Sequence, residues 1–421
     1  MTATATHNQT HDAGARPADA GPAPTTRALL ARFRPVLDEI AVGAAARETS
    51  RTLAYDAVER LKRAGFTAVR VPASWGGGGA TLSQTLLLLV ELGAADSNLV
   101  QALRAHFTSV ESLVSGANAE RRARWLPRVV AGDIFGNATT EKGNAPGRNS
   151  TILSARDGAH RLDGTKFYST GSLYADWIRV HADTEDGGSV RATVHRDAPG
   201  LELVDDWDGF GQRLTASGTT RLTGVPVETD NIEWSASGER PGFTASYVQA
   251  VLLAALVGIA KASRRDAIEY VLGRGRAFSH GVGDSPRRDP LVQEVVGRIS
   301  STVFALEAAF GAAALEVERV ADASRHGPVD GADVEELDTL VSEAQIFISE
   351  QTLDVANRLF EVGGASAASE SRRLDRHWRN ARVLAQHNPV MYRARAVGQQ
   401  RLTGDHQTTP IFVGAAGRTQ E

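Results

Sequence analysis

The chain has 421 residues, of which 42% are hydrophobic and 23% are charged, as is typical of a soluble globular protein with two or three packed units. Its formal net charge of -4 gives no electrostatic basis for binding nucleic acid or an anionic membrane. Cysteine is absent, which excludes disulfides, thiolate nucleophiles and cysteine-based metal sites, and we expect no metal centre.

Both ends of the chain are expected to be tails. Residues 1–27 are rich in Thr, Ala, Gly and Pro and lack a hydrophobic stretch, which predicts a disordered tail that is neither a signal peptide nor an anchor. Residues 404–421 are predicted to form a second tail. The longest apolar run, "AVLLAALVGIA" at 250–260, is too short to span a bilayer and suits a buried helix. We therefore expect a cytoplasmic protein.

Residues 28–135 are predicted to form an N-terminal helical domain. In "YDAVERLKRAGF", Val58, Leu61 and Ala64 share one helix face and Gly65 ends the helix. The glycines of "WGGGG" are followed by "ATLS" and not by the Gly-Lys-Ser/Thr of a phosphate-binding loop, so they predict a turn. "LSQTLLLLVELGAA" then predicts a helix that is apolar on nearly all sides and therefore buried.

Residues 136–240 show a different periodicity, which indicates a β domain. "STILSARDGAHRLDGTKFYSTG" alternates apolar and polar residues around two Asp-Gly pairs, which predict two hairpin turns. "WIRVHA", "VRATVH" and "TRLTGVPV" continue as short strands separated by Gly, Asp and Pro. The middle third is therefore predicted to be an antiparallel β domain.

Residues 241–403 are predicted to be helical again and to form an antiparallel bundle, which makes the fold class α+β. There is no βαβ alternation and no GxGxxG between a strand and a helix, so a Rossmann fold is not expected. Apolar residues recur at helical spacing in two long stripes, at Val292, Val295, Val296, Ile299, Val303, Leu306 and Phe310, and at Val334, Leu337, Val341, Ala344, Ile348, Val355 and Leu359.

The order of these units and several local motifs resemble the acyl-CoA dehydrogenase superfamily over roughly residues 28–403. The motifs are "VPASWGGGGATLSQTLLLLVELGAADSN", "WLPRVVAGDIFGNATTEKGN", "GTKFYSTGSLYADWIRV" and "EYVLGRGRAF". The resemblance implies an N-terminal helical domain, a central antiparallel β domain and a C-terminal four-helix bundle. It also implies a flavin site that borrows residues across subunits, and hence a homotetramer.

The chain departs from the family where the dehydrogenases place their catalytic base. That base is a carboxylate, because the proton next to a thioester carbonyl is only weakly acidic. In "RNARVLAQHNPV", Asn388 falls at the position of the usual glutamate, and an amide has no useful basicity. The alternative position at the start of the first bundle helix carries Val248. Ordinary dehydrogenation would need a displaced carboxylate such as Glu361.

"RLDRHWRNARVLAQHNPVMYRARAVG", "RLFEVGGASA" and "DDWDGFGQRLTASGT" resemble the dibenzothiophene monooxygenase branch of two-component flavin enzymes. This resemblance implies reduced FMN supplied by a separate flavin reductase, with FAD as a possible substitute. Oxygen would add to the flavin as a C4a-hydroperoxyflavin and one oxygen atom would pass to a small organosulfur, amine or aromatic substrate. Such chemistry needs a dry pocket and hydrogen bonds to the peroxide, but no carboxylate base.

The resemblance assigns catalytic roles to five residues, and each has a plainer alternative. His387 would donate to the distal peroxide oxygen, with Asn388 beside it, or else cap the end of its helix. Ser169 or Thr170 would contact flavin N5, and the register that decides between them stays open. His106 would lie near the substrate, or else be a structural histidine of the first domain.

The resemblance also implies which residues contact the cofactor. Arg274 lies four residues after Tyr270 and would pair with the flavin phosphate. Arg276 competes for that role, and the alternative for either arginine is that it faces solvent. The remaining cofactor candidates are Gln293, the Gly363–Gly364 pair, for which a helix cap is the simpler explanation, and Thr140 and Glu141, whose backbone would reach the isoalloxazine.

Three hypotheses follow for the function. The first is a flavin-dependent monooxygenase that uses reduced FMN and O2. The second is an acyl-CoA dehydrogenase with tightly held FAD and a displaced base. The third is a catalytically silent relative that serves as a scaffold or binding subunit.

Overall fold

A computed structural model describes residues 23–143, 148–234, 242–282 and 284–406. Most of the two predicted tails, residues 1–22 and 407–421, lies outside the described residues. The first helix begins at Thr26, one residue before the expected end of the N-terminal tail at 27.

Five helices precede the sheet and eight strands form it. The helices are α1 (Thr26–Ser50), α2 (Tyr55–Arg63), α3 (Leu82–Ala102), α4 (Arg104–Ser115) and α5 (Ala119–Ala131). The strands are β1 (Phe135–Ala138), β2 (Ile152–Arg156), β3 (Ala159–Lys166), β4 (Trp177–Thr184), β5 (Ser189–His195), β6 (Leu201–Val204), β7 (Thr219–Val227) and β8 (Ile232–Trp234).

The strands form one sheet in the order β6-β7-β3-β2-β4-β5-β8, with β1 paired to β4. Most neighbours are antiparallel as predicted, but β1–β4 and β2–β4 are parallel. Only the first predicted Asp-Gly turn is a turn: Asp157 and Gly158 have φ of 51° and 75° and join β2 to β3. The second is a bulge inside β3, where the register shifts between Leu162 and Gly164. A Cβ on Gly164 would lie 2.5 Å from Thr151 Oγ1, so the bulge depends on glycine.

The C-terminal region is the predicted helical bundle, with one additional helix. Its helices are α6 (Thr244–Leu272), α7 (Pro290–Ser324), α8 (Gly331–Arg358), α9 (Asp375–Gln386) and α10 (Val390–Thr403). The predicted stripes of α7 and α8 point into the core, since Ile299, Val303, Leu337 and Val341 are almost fully buried. The end of α8 continues into a short 3-10 turn at Leu359–Val362.

The N-terminal domain packs on the bundle mainly through α3 and α6. These helices cross at two glycines, because a Cβ on Gly258 would lie 2.5 Å from the carbonyl carbon of Gly93. Such a close approach fixes where the two domains meet. It brings the C-terminal end of α3, and with it the start of α4, against the bundle.

Two helices in the described part of the chain are long and apolar enough to cross a membrane by length and composition. The apolar run at 250–260 lies within one of these helices, so the candidate membrane span that contains it is longer than the run itself. In α6, 83% of the apolar window is buried inside the protein, as the sequence predicts for a core helix. In α7 only 33% is buried, and Phe304 and Leu315 are 72% and 63% exposed.

Candidate active site

The end of α9 meets the start of α4. His387, the residue after α9, is exposed to solvent where the end of α9 meets the start of α4, and we call this place the cleft. Arg104 Nη2 donates to Nε2 of His387 over 3.1 Å. Burial, reinforced by the charge of Arg104, lowers the pKa of His387 to about 3. The imidazole is therefore neutral at pH 7, with its lone pair on Nε2 and its proton on Nδ1.

The two positions at which the family could place a base come together in space. Asn388 Nδ2 donates to Oε1 of Gln249, the neighbour of Val248, over 2.6 Å, and the Asn388 carbonyl accepts from Gln345 Nε2. Arg104 is the charged group among the described residues that perturbs His387. Glu361 does not reach this place: it is exposed in the turn that follows α8, at the opposite end of α6.

The loop after β3 reaches the same region. Gly171, with φ of 79°, packs so closely on the last residue of α3 that a Cβ would lie 2.0 Å from the Ala102 carbonyl oxygen. Since Ala102 is two residues before Arg104, this contact places the loop next to the cleft. Tyr168 has a left-handed φ of 55° and a ring that is 48% exposed. Its ring packs edge-on against Trp207 at 6.0 Å.

The loop hydroxyls of Ser169 and Thr170 have different surroundings. Thr170 Oγ1 lies 2.8 Å from Ser217 Oγ, which is 2.7 Å from Thr215 Oγ1, so the three hydroxyls form a chain. Ser169 Oγ is sealed from water and has no hydrogen-bond partner among the described residues. Thr170 is 7% exposed and Ser169 is 1% exposed, so the side of the loop that carries Thr170 and Ser217 is the more open of the two.

Asn137 in β1 was not singled out from the sequence. Its Oδ1 is buried without a partner among the described residues, and its carbonyl accepts from Ser172 Oγ in the same loop. A buried acceptor without a donor is rare in native proteins and often marks a ligand site. Its neighbours in "FGNATTE" gave no chemical pattern that would have identified it.

His106 is a structural residue in its contacts, which corrects the prediction that it lies near the substrate. It is fully buried, its Nε2 donates to the Thr67 carbonyl at 2.8 Å, and its Nδ1 accepts from the Phe135 N–H at 3.4 Å. Burial lowers its pKa to about 4. Neither ring nitrogen is free for a substrate.

The side chain of Glu141 is also committed to the protein. It accepts from the buried Lys166 ammonium at 2.5 Å and from Ser150 and Thr151. Burial opposes ionisation, but these hydrogen bonds outweigh it and lower the pKa to about 2. Thr140 pairs with Phe167 through its backbone. The carboxylate of Glu141 is therefore a structural ion pair, and only backbone groups of this segment are candidates for the cofactor.

The remaining predicted cofactor residues lie at the other end of the bundle. Arg274, just after α6, donates to the Val362 carbonyl at 3.0 Å and stacks on Phe278. Arg276 is exposed and makes no hydrogen bond or ion pair with the described residues. Gln293, in the first turn of α7, is exposed and donates to the Arg287 carbonyl. Gly363 and Gly364 are explained by packing, because a Cβ there would strike Tyr270 or Phe278.

The predicted residues thus form two groups and not one site. Asn388 contacts Gln249 near the start of α6, whereas Arg274 follows its end, so the groups are roughly 35 Å apart at 1.5 Å per helical residue. A single flavin cannot contact both groups of one chain. A cavity of about 370 Å³ lies away from both groups, between α1 and α2, beside Glu39 and Asp56.

Arg376 and Arg379 of α9 are held by carboxylates of the same chain. Arg376 pairs with Asp266 of α6 at 2.6 Å, and Arg379 pairs with the buried Glu48 at 3.0 Å. These contacts clamp α9 against α1 and α6 and so position the helix end that carries His387.

The chain belongs to the acyl-CoA dehydrogenase superfamily. Residues 24–133 match the family description "Acyl-CoA dehydrogenase, N-terminal domain", and residues 250–391 match "Acyl-CoA dehydrogenase, C-terminal domain". The fold predicted from the sequence is thereby confirmed.

Within the superfamily the chain is similar to flavin-dependent monooxygenases. It is 27% identical over 388 residues to the probable FMNH2-dependent monooxygenase SfnC of Pseudomonas putida, covering 88% of this chain and 96% of SfnC. It is 26% identical over 369 residues to dibenzothiophene monooxygenase of Rhodococcus erythropolis, covering 83% and 87%. FMN-bound TdsC of Paenibacillus sp. A11-2 superposes with a TM-score of 0.85 at 26% identity, covering 91% and 99%.

Proposed function

We propose that the protein is a flavin-dependent monooxygenase that uses reduced FMN and O2 to oxygenate a small organic molecule. The observation that carries this conclusion is the cleft at His387, where the possible base positions hold Asn388 and Val248. The relatives named above support the same reading over acyl-CoA dehydrogenation. When bound, reduced FMN supplies the electrons that activate O2, so that one oxygen atom passes to the substrate and the other leaves as water.

The residues present fit a flavin at this cleft. The ring system of FMN is flat and has polar edges, and the cleft offers the exposed ring of Tyr168 and the orphaned acceptor of Asn137. Thr170 and Ser217 supply hydroxyls that can both donate and accept. We assign these two residues to the polar edge of the flavin, and we assign to the sealed Ser169 the role of supporting the loop.

His387 holds a proton on Nδ1 while Arg104 occupies Nε2. In a neutral ring that proton can be donated either to the neighbouring Asn388 side chain or to a negatively charged oxygen in the cleft. Asn388, tied to Gln249 and Gln345, keeps the helix end in place. Val248 and its apolar neighbours in α6 exclude water from this side of the cleft, as the proposed chemistry requires.

The flavin phosphate, by this proposal, is bound by a neighbouring copy of the chain. Arg274, Gln293 and the Gly363–Gly364 segment lie too far from His387 to serve the same flavin within one chain. The exposed apolar face of α7 is the surface through which copies would assemble. We propose a homotetramer in the cytoplasm that receives reduced FMN from a separate flavin reductase.

The test is oxygenation under an 18O2 atmosphere. The purified protein is combined with a flavin reductase, NADH and FMN, and is offered dibenzothiophene, indole and a sulfinate. Incorporation of one 18O atom that requires both the protein and reduced FMN supports the proposal. Dehydrogenation of an acyl-CoA with oxidised FAD, without reductant, would instead establish the dehydrogenase.

Purification gives an independent comparison of the two enzymes. A diffusible flavin leaves the isolated protein nearly colourless, whereas a tightly held FAD leaves it yellow. Failure to bind either flavin in a titration would identify a silent relative of the enzymes.

A further inference from the structure

Arg104 has no acidic partner in the cleft. It begins α4 directly after the 80° bend between α3 and α4, and its side chain is only partly open to water. Its described side-chain contact is the donation from Nη2 to Nε2 of His387. Within the described part of the chain no carboxylate lies at ion-pair distance from it.

Other enclosed arginines of this protein have carboxylate partners. Arg70 donates to Glu111 through two nitrogens, at 2.6 and 3.2 Å, and Arg47 pairs with Asp96 at 3.0 Å. A desolvated charge is costly unless an opposite charge compensates it. Burial lowers the pKa of Arg104 to about 10, which still leaves it positive at neutral pH. The cleft therefore contains an uncompensated cation.

The Arg104 guanidinium has more N–H donors than its contact with His387 uses. It carries five N–H bonds, of which the contact with His387 uses one. No nitrogen of Arg104 is among the described buried atoms that lack a partner, so its remaining N–H groups are not sealed from solvent. A planar oxyanion fits such a fork with two parallel hydrogen bonds.

We propose that the substrate carries an anionic oxygen group, such as a sulfinate, sulfonate or carboxylate, and that Arg104 binds this group beside His387. The inference rests on the proposed function for the meaning of "substrate", but the binding site itself does not depend on oxygenation. Because Arg104 contacts His387 directly, the anion lies next to the proposed reaction centre. The protein would then select small charged molecules over neutral polycyclic ones.

Isothermal titration calorimetry with two matched pairs of probes tests this inference. Methanesulfinate is compared with dimethyl sulfoxide, and benzenesulfinate with methyl phenyl sulfoxide, since the members of each pair share a pyramidal sulfur and differ in charge. The full-length protein is titrated with oxidised FMN present and without reductant. We expect at least one sulfinate to bind roughly 10- to 100-fold more tightly than its sulfoxide, as a charge-assisted hydrogen bond provides.

Three variants define the role of the side chain. Arg104→Gln should abolish the preference for the sulfinate, Arg104→Lys should retain part of it as a point charge, and Arg34→Gln, on the exposed side of α1, should leave it unchanged. FMN affinity, measured by fluorescence, should be similar in all of them. A drop in FMN affinity confined to Arg104→Gln would show that the cation serves the flavin, and would overturn the proposal.

The proposal also fails if neither sulfinate binds at millimolar concentration or if Arg104→Gln binds it as well as the parent does. These outcomes are separate from failure of the proposed function. Sulfinate binding without any 18O incorporation would leave the anion site intact and contradict the monooxygenase. Incorporation of 18O into neutral substrates alone would support the monooxygenase and contradict the anion site.

Discussion

Asn388 Nδ2 donates to Gln249 Oε1 over 2.6 Å, which joins the end of α9 to the start of α6. By the family resemblance, the end of α9 and the start of α6 are the two places for a catalytic carboxylate. Here the contact between them is made by two amide side chains. At this contact the protein has a neutral hydrogen bond between two amide side chains and no carboxylate that could act as a base.

This contact should be measurable as a coupling free energy. Gln249 is buried, so Asn388→Ala leaves its Oε1 without a donor and should lower the free energy of unfolding by about 1–3 kcal/mol. Gln249→Ala should have a similar effect, and the double variant should lose less than the sum. Urea denaturation of the four proteins gives the cycle, and strictly additive losses would contradict the contact.

His387 is expected to act in the chemical step and not in flavin binding. His387→Gln retains an acceptor for Arg104 but lacks the imidazole Nδ1–H that is proposed to donate to the reacting oxygen. We expect the rate of oxygenation to fall by roughly 100-fold or more, while the affinity for FMN stays within a factor of about two, a difference worth less than a hydrogen bond. Rapid-mixing kinetics and a fluorescence titration separate the two effects; a normal rate would leave His387 a helix cap.

The two hydroxyls of the β3 loop should differ when each is removed. Thr170→Val breaks the chain to Ser217 and should weaken FMN binding by roughly 3- to 10-fold, the value of one hydrogen bond. Ser169→Ala removes a sealed hydroxyl that has no described partner, so it should leave FMN affinity unchanged and not lower thermal stability. The reverse pattern in a flavin titration would assign the flavin contact to Ser169.

His106 provides a control for the catalytic histidine and a probe of pH dependence. The amide of His106→Gln replaces the Nε2–H that donates to Thr67, so we expect nearly normal oxygenation. A loss comparable to that of His387→Gln would restore the original catalytic assignment.

Burial gives His106, His181 and His377 a pKa of about 4 and His387 a pKa of about 3. An unfolded histidine takes up its proton near pH 6.5. Between these values the unfolded chain binds more protons, so the free energy of unfolding should fall as pH decreases from 6.5 to 4. His106→Gln should reduce this slope by up to about 1.4 kcal/mol per pH unit. Urea denaturation at a series of pH values measures both slopes.

Assembly should depend on the apolar face of α7. Phe304→Glu combined with Leu315→Glu places charges on side chains that are largely exposed in the single chain. We expect the oligomer to dissociate, because a charge cannot be buried in an apolar interface without compensation. Light scattering after gel filtration measures the mass. Ala312→Glu, on the same helix, is the control that shows whether an added charge on α7 is by itself sufficient to dissociate the oligomer.

Local patterns predicted much of this fold, since helical spacing depends on residues only three or four apart. The stripes of α7 and α8 were therefore identified with their buried faces. The two Asp-Gly pairs show the limit: the dipeptide allows a left-handed backbone, but only the neighbouring Thr151 decides that Gly164 forms a bulge and not a turn.

The site was less predictable, because its contacts join distant segments. Arg104 and His387 are 283 residues apart, and no local pattern pairs them. His106 was misjudged because its partners are backbone atoms of Thr67 and Phe135, which carry no signature in side-chain sequence. The family resemblance predicted roles for His387 and for the loop at Ser169–Thr170, which stay predictions, and it did not distinguish the two hydroxyls.

The separation of the two residue groups along α6 has a genetic consequence. In the proposed homotetramer, a polypeptide damaged at His387 would still offer an intact Arg274 to its neighbour, and one damaged at Arg274 would still offer an intact His387. Two alleles that are each inactive alone would then restore a fraction of working centres when co-expressed, because each proposed centre needs His387 from one chain and Arg274 from another.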